Sequence, residues 1–277
     1  MSTENTLLTI LVEKINNDTL VLPTLPAIAL KVRKTAENPT VSLSKMAEVI
    51  ALDPSLSARI IKLANSAYLG RSIRAESLQQ AVTRIGLTQI KNIATALAME
   101  QLFVSKNEVV KTYLNQVWDR SVKVVANSLA VFQAYSERHQ VKGLNIDVMT
   151  LAALMHNIGV LPILTEAERH NEFADPKFLN QAIQKLAGRI GGAITREWGF
   201  GDEFVQVAES WRDMKVQSDK VSYLDFVRMG AVAAGFIESK KNSVINVCMQ
   251  KRVIEDMDMF QSNEYKDRLA TVRDIFI

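Results

Sequence analysis

The sequence has little cysteine, no run of positive charge and few aromatic side chains. Its single cysteine, Cys248, excludes an internal disulfide and suits a reducing compartment. The net charge is only +3, and lysines and arginines alternate with acids, so no basic patch points to a nucleic-acid partner. Tyrosines and phenylalanines are too scattered to form a base-stacking platform. We therefore predict that nucleic acid is not among its partners.

Signals for export and membrane insertion are also scarce. The first residues are polar and carry no basic segment, which argues against a signal peptide. The uncharged apolar stretch considered for a membrane span, Met229 to Ile237, is far short of the ~20 residues that a spanning helix needs. We predict a cytoplasmic protein that does not bind a membrane.

Helical spacing dominates what is present. The 277 residues are 48% hydrophobic and 23% charged, which is typical of a globular protein with a sizeable core. Apolar residues recur every three or four positions in several stripes, whereas alternation of period two is absent. One such stripe contains Leu56, Ile60, Leu63, Ala64 and Ala67. The pattern predicts an all-α protein with no substantial sheet.

Capping and breaking residues divide these helices. Ser42 and the pair Asp53-Pro54 are typical helix starts, because their side chains accept free backbone N–H groups and proline fits the first turn. Gly70 and Gly86 are typical helix ends. Asp147 is expected to cap a helix over Val148 to Asn157. Long helices are expected in the last hundred residues, joined at Gly188, at Gly199 to Gly201 and at Lys215 to Lys220.

Several ordered motifs then carry a family resemblance. They are Leu-Pro-Thr-Leu-Pro from Leu22, Asp-Pro-Ser-Leu from Asp53, Leu-Ala-Asn-Ser-Ala-Tyr from Leu63 and Ala-Val-Thr-Arg-Ile-Gly from Ala81. Together they resemble the HDOD family, bacterial signalling domains related to HD-type metal-dependent phosphohydrolases. The resemblance spans about Val21 to Met214.

The resemblance implies an all-α fold with two helical lobes, the second of them HD-domain-like. We expect an N-terminal lobe over residues 6–104, an HD-like lobe over residues 105–214 and a C-terminal helical segment over residues 215–277. The last segment lies beyond the resemblance. Its small residues near Gly230 would allow tight packing, either within the chain or across a homodimer.

The segment Leu151 to Leu161 matches the HD motif. In HD phosphohydrolases, adjacent histidine and aspartate are the centre of a metal site that generates hydroxide and clamps a phosphate. Here His156 keeps the imidazole, but the next residue is Asn157, whose neutral amide is a poor ligand for a hard divalent ion. Arg120 stands where the family's first histidine would be, and its guanidinium repels a cation.

The remaining ligand positions of the family also lack histidine. By the same resemblance, Ala187 stands for one histidine, and Trp211 and Arg212 lie where active relatives carry a pair. Four acids in the matched regions could rescue a weak ion site, but solvated surface charges are the commoner role: Asp119, Glu197, Glu209 and Asp213. We therefore predict no catalytic residue, no metal and no cofactor, with His156 and Asn157 as residual HD-motif positions.

A groove between the lobes is the predicted contact site for a partner or ligand, lined in part by Asn65, Tyr68, Arg120 and His156. Two of these residues also have structural interpretations. The side chain of Asn65 could serve only to satisfy carbonyls at a helix end. His156 could be a partly buried histidine bonded to a neighbouring carbonyl or to the helix that carries Arg120.

Three functional hypotheses follow from the resemblance. The favoured one is a non-catalytic regulatory module that binds signalling proteins in trans: a kinase, a response regulator or a cyclic-dinucleotide enzyme. The second is a metal-dependent phosphohydrolase with unusual ligands, acting on a nucleotide or phosphoester. The third is a nucleotide-binding regulator that keeps the pocket without the metals.

Overall fold

A computed structural model describes residues 3–66, 74–139, 143–170 and 176–276. No strand occurs within these ranges, and the predicted all-α fold is confirmed. Gly70, a predicted helix end, lies outside the described residues.

The helices of the predicted N-terminal lobe precede a single long helix. They are α1 (Thr3–Asn16), α2 (Ala27–Ala36), α3 (Leu43–Ile50), α4 (Pro54–Ala64), α5 (Leu78–Ile85) and α6 (Leu87–Ala98), with a 3-10 turn over Met99–Leu102. The HD-like lobe contains α7 (Glu108–Arg138), α8 (Ile146–Met155), α9 (Val160–Arg169), α10 (Pro176–Glu197) and α11 (Asp202–Ser210). The C-terminal segment contains α12 (Tyr223–Ala233), α13 (Lys241–Gln250) and α14 (Asn263–Phe276), with 3-10 turns over Glu238–Lys240 and Asp258–Gln261.

Three predicted boundaries are confirmed by their cap geometry. Ser42 Oγ accepts the backbone N–H of Lys45 at 3.1 Å, and Asp53 Oδ1 accepts that of Leu56 at 3.0 Å. Gly86 separates α5 from α6 with φ of +85°, a left-handed conformation that glycine adopts without a steric penalty. Local side-chain chemistry fixes these boundaries, so they could be read from the sequence.

Two predicted boundaries, at Asp147 and Gly188, are wrong because these residues make contacts between helices instead. Asp147 does not cap α8, which begins one residue earlier; its buried carboxylate accepts a hydrogen bond from Asn92 Nδ2 of α6 at 2.7 Å. Gly188 lies inside α10, where a Cβ would come within 2.4 Å of the carbonyl oxygen of Glu209. This glycine serves the close approach of α10 and α11 instead of ending a helix.

A continuous hydrophobic core runs through all three predicted segments. The long helix α7 packs against α8 and α9 of the HD-like lobe and against α12 and α14 of the C-terminal segment. Helix α12 approaches so closely that a Cβ on Gly230 would lie 2.2 Å from Ser128 Oγ. The small-residue face of α12 therefore packs within the chain, and a homodimer through another surface remains a prediction.

The N-terminal helix crosses to the HD-like lobe. Lys14 Nζ lies 2.5 Å from Glu166 Oε2 of α9, and the indole Nε1 of Trp198 donates to the carbonyl of Pro23 at 2.9 Å. The guanidinium of Arg33 also lies over the ring of Phe200, 4.1 Å from its centre. These contacts hold the two predicted lobes against each other.

One described segment, Ile146–Arg169, is long and apolar enough to cross a membrane by composition, with a mean hydropathy of 1.7. It contains an uncharged stretch, Val148 to Thr165, which is longer than Met229 to Ile237. The prediction from the sequence did not take this longer stretch into account as a membrane span. Yet 83% of its most apolar window is buried inside the fold. That burial is consistent with a core segment of a soluble protein.

Candidate functional site

A cavity of about 250 Å³ lies where the HD-like lobe meets the C-terminal segment. Its walls come from α7, from the turn between α8 and the first residue of α9, from α10, from the residues just after α11 and from the turn after α12. We call it the arginine cavity, after Arg120 and Arg212, which both line it.

His156 forms one wall of the arginine cavity at the end of α8. The side chain is only 3% exposed, and its Nδ1 lies 2.5 Å from the carbonyl oxygen of Ala153. Because a carbonyl can only accept, Nδ1 must carry the proton, which leaves a lone pair on Nε2. The ring meets Trp211 edge to face, with 4.8 Å between the ring centres.

Burial also fixes the charge of this histidine. The pKa of His156 is lowered to about 3, mainly by desolvation; the hydrogen bond to Ala153 opposes this shift, and the positive charge of Arg212 adds to it. The imidazole is therefore neutral at pH 7.

The residue that follows His156 is held by a cation. Asn157 Oδ1 accepts a hydrogen bond from Arg212 Nη1 at 2.9 Å, and the guanidinium of Arg212 lies 4.0 Å from the ring centre of Trp211. Burial lowers the pKa of Arg212 to about 10, so the group stays protonated at neutral pH. Lys240 Nζ donates to the Arg212 carbonyl at 2.5 Å, which ties this wall to the C-terminal segment.

Arg120 is the second cation of the arginine cavity. Its side chain is exposed, and its Cζ lies 5.8 Å from the ring centre of Phe236, a residue of the C-terminal segment. Neither Arg120 nor Arg212 forms an ion pair with any described carboxylate. No aspartate or glutamate lines the cavity, so its described walls carry two positive charges and no negative one.

Helix α10 does not bring Ala187, the residue that the family resemblance matches to a histidine, to the arginine cavity. Gln184 lines the arginine cavity, whereas Ala187 lies one turn further along and is buried. A Cβ on Gly159 would come within 1.9 Å of the carbonyl oxygen of Ala187, so the chain after α8 packs directly on α10 there. Helical spacing of three residues from Ala187 is the signal that could have identified Gln184.

Asn65 does not join this cavity. Its side-chain Nδ2 donates to the carbonyl of Ala75 at 2.8 Å, and its Oδ1 accepts the N–H of Ala75 at 2.7 Å and the Nη1 of Arg84 at 3.2 Å. The amide therefore fastens the end of α4 to the chain before α5. Tyr68 lies outside the described residues. The structure thus brings together Arg120 and His156, but not Asn65.

The residues present do not fit a divalent metal ion. Two of the four acids that could have rescued a metal site have other partners: Glu209 pairs with Arg196 at 2.5 Å, and Asp213 accepts the backbone N–H of Lys215 at 3.0 Å. The other two, Asp119 and Glu197, are exposed and do not line the arginine cavity. Within the described ranges, no three His, Cys, Asp or Glu side chains are grouped closely enough to hold an ion. One neutral imidazole, an amide bound to a guanidinium and a second guanidinium offer a dication weak donors and net repulsion.

Comparisons with known proteins agree with this architecture. The HDOD domain family model matches residues 22–213. The chain is 41% identical to a solved protein of Shewanella amazonensis SB2B that is provisionally named a metal-dependent phosphohydrolase, over 100% of both chains and with a TM-score of 0.95.

Two further relatives are more distant. A solved HDOD domain protein of unknown function from Geobacter sulfurreducens is 18% identical over 99% of both chains, with a TM-score of 0.62. An uncharacterized protein of Treponema pallidum (strain Nichols) is 24% identical over 66% of this chain. The match spans only 36% of the length of that curated relative. The family match over most of the chain, together with the all-helical fold, shows that the chain belongs to the HDOD domain family.

Proposed function

We propose that this chain is a non-catalytic HDOD signalling module with a degenerate HD metal site. The observation that carries the proposal is the donor set of the arginine cavity. His156 is neutral and buried, Asn157 is bound by Arg212, and Arg120 lines the same cavity without an ion pair to any described carboxylate. A hydrolase of the HD type needs ions at these positions to generate hydroxide and to bind phosphate. Two fixed cations oppose the binding of such ions.

The alternative is a metal-dependent phosphohydrolase acting on a nucleotide or phosphoester. The provisional name of the 41% identical Shewanella protein favours this activity. For this activity, one or two divalent ions would have to bind beside two guanidiniums and displace the Arg212–Asn157 hydrogen bond. The donor chemistry of this chain therefore supports the non-catalytic proposal.

The proposed partners are cytoplasmic signalling proteins that act in trans: a kinase, a response regulator or a cyclic-dinucleotide enzyme. The proposed contact surface is the mouth of the arginine cavity, where Arg120 is exposed and Phe236 is half-buried. An exposed guanidinium beside an aromatic ring is the composition that protein contact sites favour.

Two measurements on the full chain test the proposal. We expect no turnover of p-nitrophenyl phosphate or nucleotides with added Mn²⁺, Fe²⁺ or Zn²⁺. We also expect binding to a purified member of one partner class, weakened by the double variant Arg120→Ala/His156→Ala. Metal-dependent turnover that His156→Ala abolishes would refute the proposal. Binding that is unchanged in the double variant would remove the cavity mouth from the contact surface.

A further inference from the structure

The arginine cavity has the charge and shape of an anion site. Its described walls hold two guanidiniums and no carboxylate, and both cations lack an ion-pair partner among the described residues. Guanidiniums bind phosphate oxygens through planar, bidentate hydrogen bonds, and this interaction strengthens where water is partly excluded. Arginine is therefore suited to bind directly the group that HD enzymes bind through metal ions.

Neutral hydrogen-bond donors surround the two cations. The side-chain amides of Gln116, Asn180 and Gln184 line the cavity beside Arg120 and Arg212. These amides can donate to an oxyanion without adding charge.

Trp211 supplies a second and independent observation. This cavity-lining residue is only 4% exposed, yet its indole Nε1 has no acceptor among the described residues. A buried donor without an acceptor is uncommon in native proteins, because leaving it unpaired has a free-energy cost. The indole is thus a buried donor in the cavity wall for which the described residues supply no acceptor.

A second cavity of about 560 Å³ adjoins the first and shares Gln184, Arg212 and Phe236 with it. Its lining carries both signs of charge, including Lys185 and Glu209. The arginine cavity, which no described acid lines, is therefore the part suited to a phosphate group. The adjoining mixed part has room for the neutral remainder of a larger molecule, with the half-buried Phe236 ring between the two parts.

We infer that the arginine cavity binds the phosphate group of a small phosphorylated compound of mononucleotide size, held directly by Arg120 and Arg212 without a metal ion. The inference rests on the proposed function, because both require that the family's ions are absent. A free small molecule fits better than a phosphorylated protein side chain, because the walls come from five separate parts of the fold and the adjoining cavity adds room for more than a phosphate group. Such a ligand would bridge α7, α10 and the C-terminal segment.

Isothermal titration calorimetry of the full chain in EDTA tests the inference. The probes are the four common nucleoside 5′-monophosphates, with unphosphorylated adenosine and a phosphoserine peptide as comparisons. We expect at least one nucleotide to bind saturably, no binding of adenosine and weaker binding at high salt. Arg120→Gln and Arg212→Gln should each weaken binding at least about tenfold, which is the loss expected for one charged hydrogen-bond partner. Lys123→Gln, an equal charge change on an exposed residue one turn along α7, should bind like the wild type.

Three results would overturn the inference. They are no binding of any nucleotide in EDTA, nucleotide binding that is unchanged in both arginine variants, and binding of the phosphoserine peptide alone. Arg120 is exposed, so its variant should fold even if loss of the Arg212–Asn157 bond unfolds the other. Nucleotide binding that requires Mn²⁺ would overturn the proposed function as well, whereas absence of binding with and without Mn²⁺ would overturn only this inference.

Discussion

Removal of the His156 imidazole should make the protein less sensitive to mild acid. In the folded state burial lowers the pKa of His156 to about 3, whereas the ordinary value is 6.5. Between these two values the unfolded chain binds a proton that the folded chain does not. Stability is therefore lost as the pH falls below about 6.5. The loss from this one group amounts to about 2 kcal/mol between pH 7 and pH 5.

Urea unfolding of the wild type and of His156→Gln, followed by circular dichroism at pH 7 and pH 5, measures this difference. Other groups titrate equally in both proteins, so the wild type should lose about 2 kcal/mol more than the variant. As a matched control, His139→Gln changes a half-buried histidine at the end of α7, away from the arginine cavity. This variant should lose as much stability between pH 7 and pH 5 as the wild type does. An equal loss of stability between pH 7 and pH 5 in the wild type and in His156→Gln would refute the claim that the imidazole is buried and neutral.

Three further predictions concern the packing of the C-terminal segment. Gly230→Ala should lower stability by about 2 kcal/mol or more and reduce Tm by several degrees, because the new Cβ would overlap Ser128; an unchanged Tm would contradict the close packing of α7 and α12. Tyr265→Phe should lose about 1–3 kcal/mol in urea unfolding, because its hydroxyl donates to buried Asn127 Oδ1 at 2.6 Å; equal stability would show that this bond does not form. Cys248, whose pKa burial raises to about 12, should react with a thiol reagent only as fast as the chain unfolds, and rapid labelling of the native protein would contradict its burial.

The sequence predicted the fold well because its signals are local. Apolar spacing and caps such as Ser42 and Asp53 depend on residues within one or two turns, so they survive without tertiary information. Asp147 and Asn65 were harder, since each polar side chain binds a group on another element: Asp147 pairs with Asn92 of α6, and Asn65 with the backbone of Ala75.

The candidate site was predictable only in part, for a related reason. Arg120, His156 and Asn157 could be placed because they fall on motifs of the family. Gln184 was missed, although it lies one helical turn from the matched Ala187, and Phe236 could not be placed because it lies beyond residues 22–213. The Arg212–Asn157 hydrogen bond joins residues 55 positions apart, so only the folded structure reveals it.

Elemental analysis tests the central claim most directly. The chain would be purified without chelator, incubated with Mn²⁺, Fe²⁺ or Zn²⁺, desalted and measured by mass spectrometry alongside His156→Ala. Because the described residues that line the arginine cavity include one imidazole, two guanidiniums and the neutral amide of Asn157, we predict far less than one ion per chain, equal in both proteins. About one or two ions per chain in the wild type, lost in His156→Ala, would contradict the account.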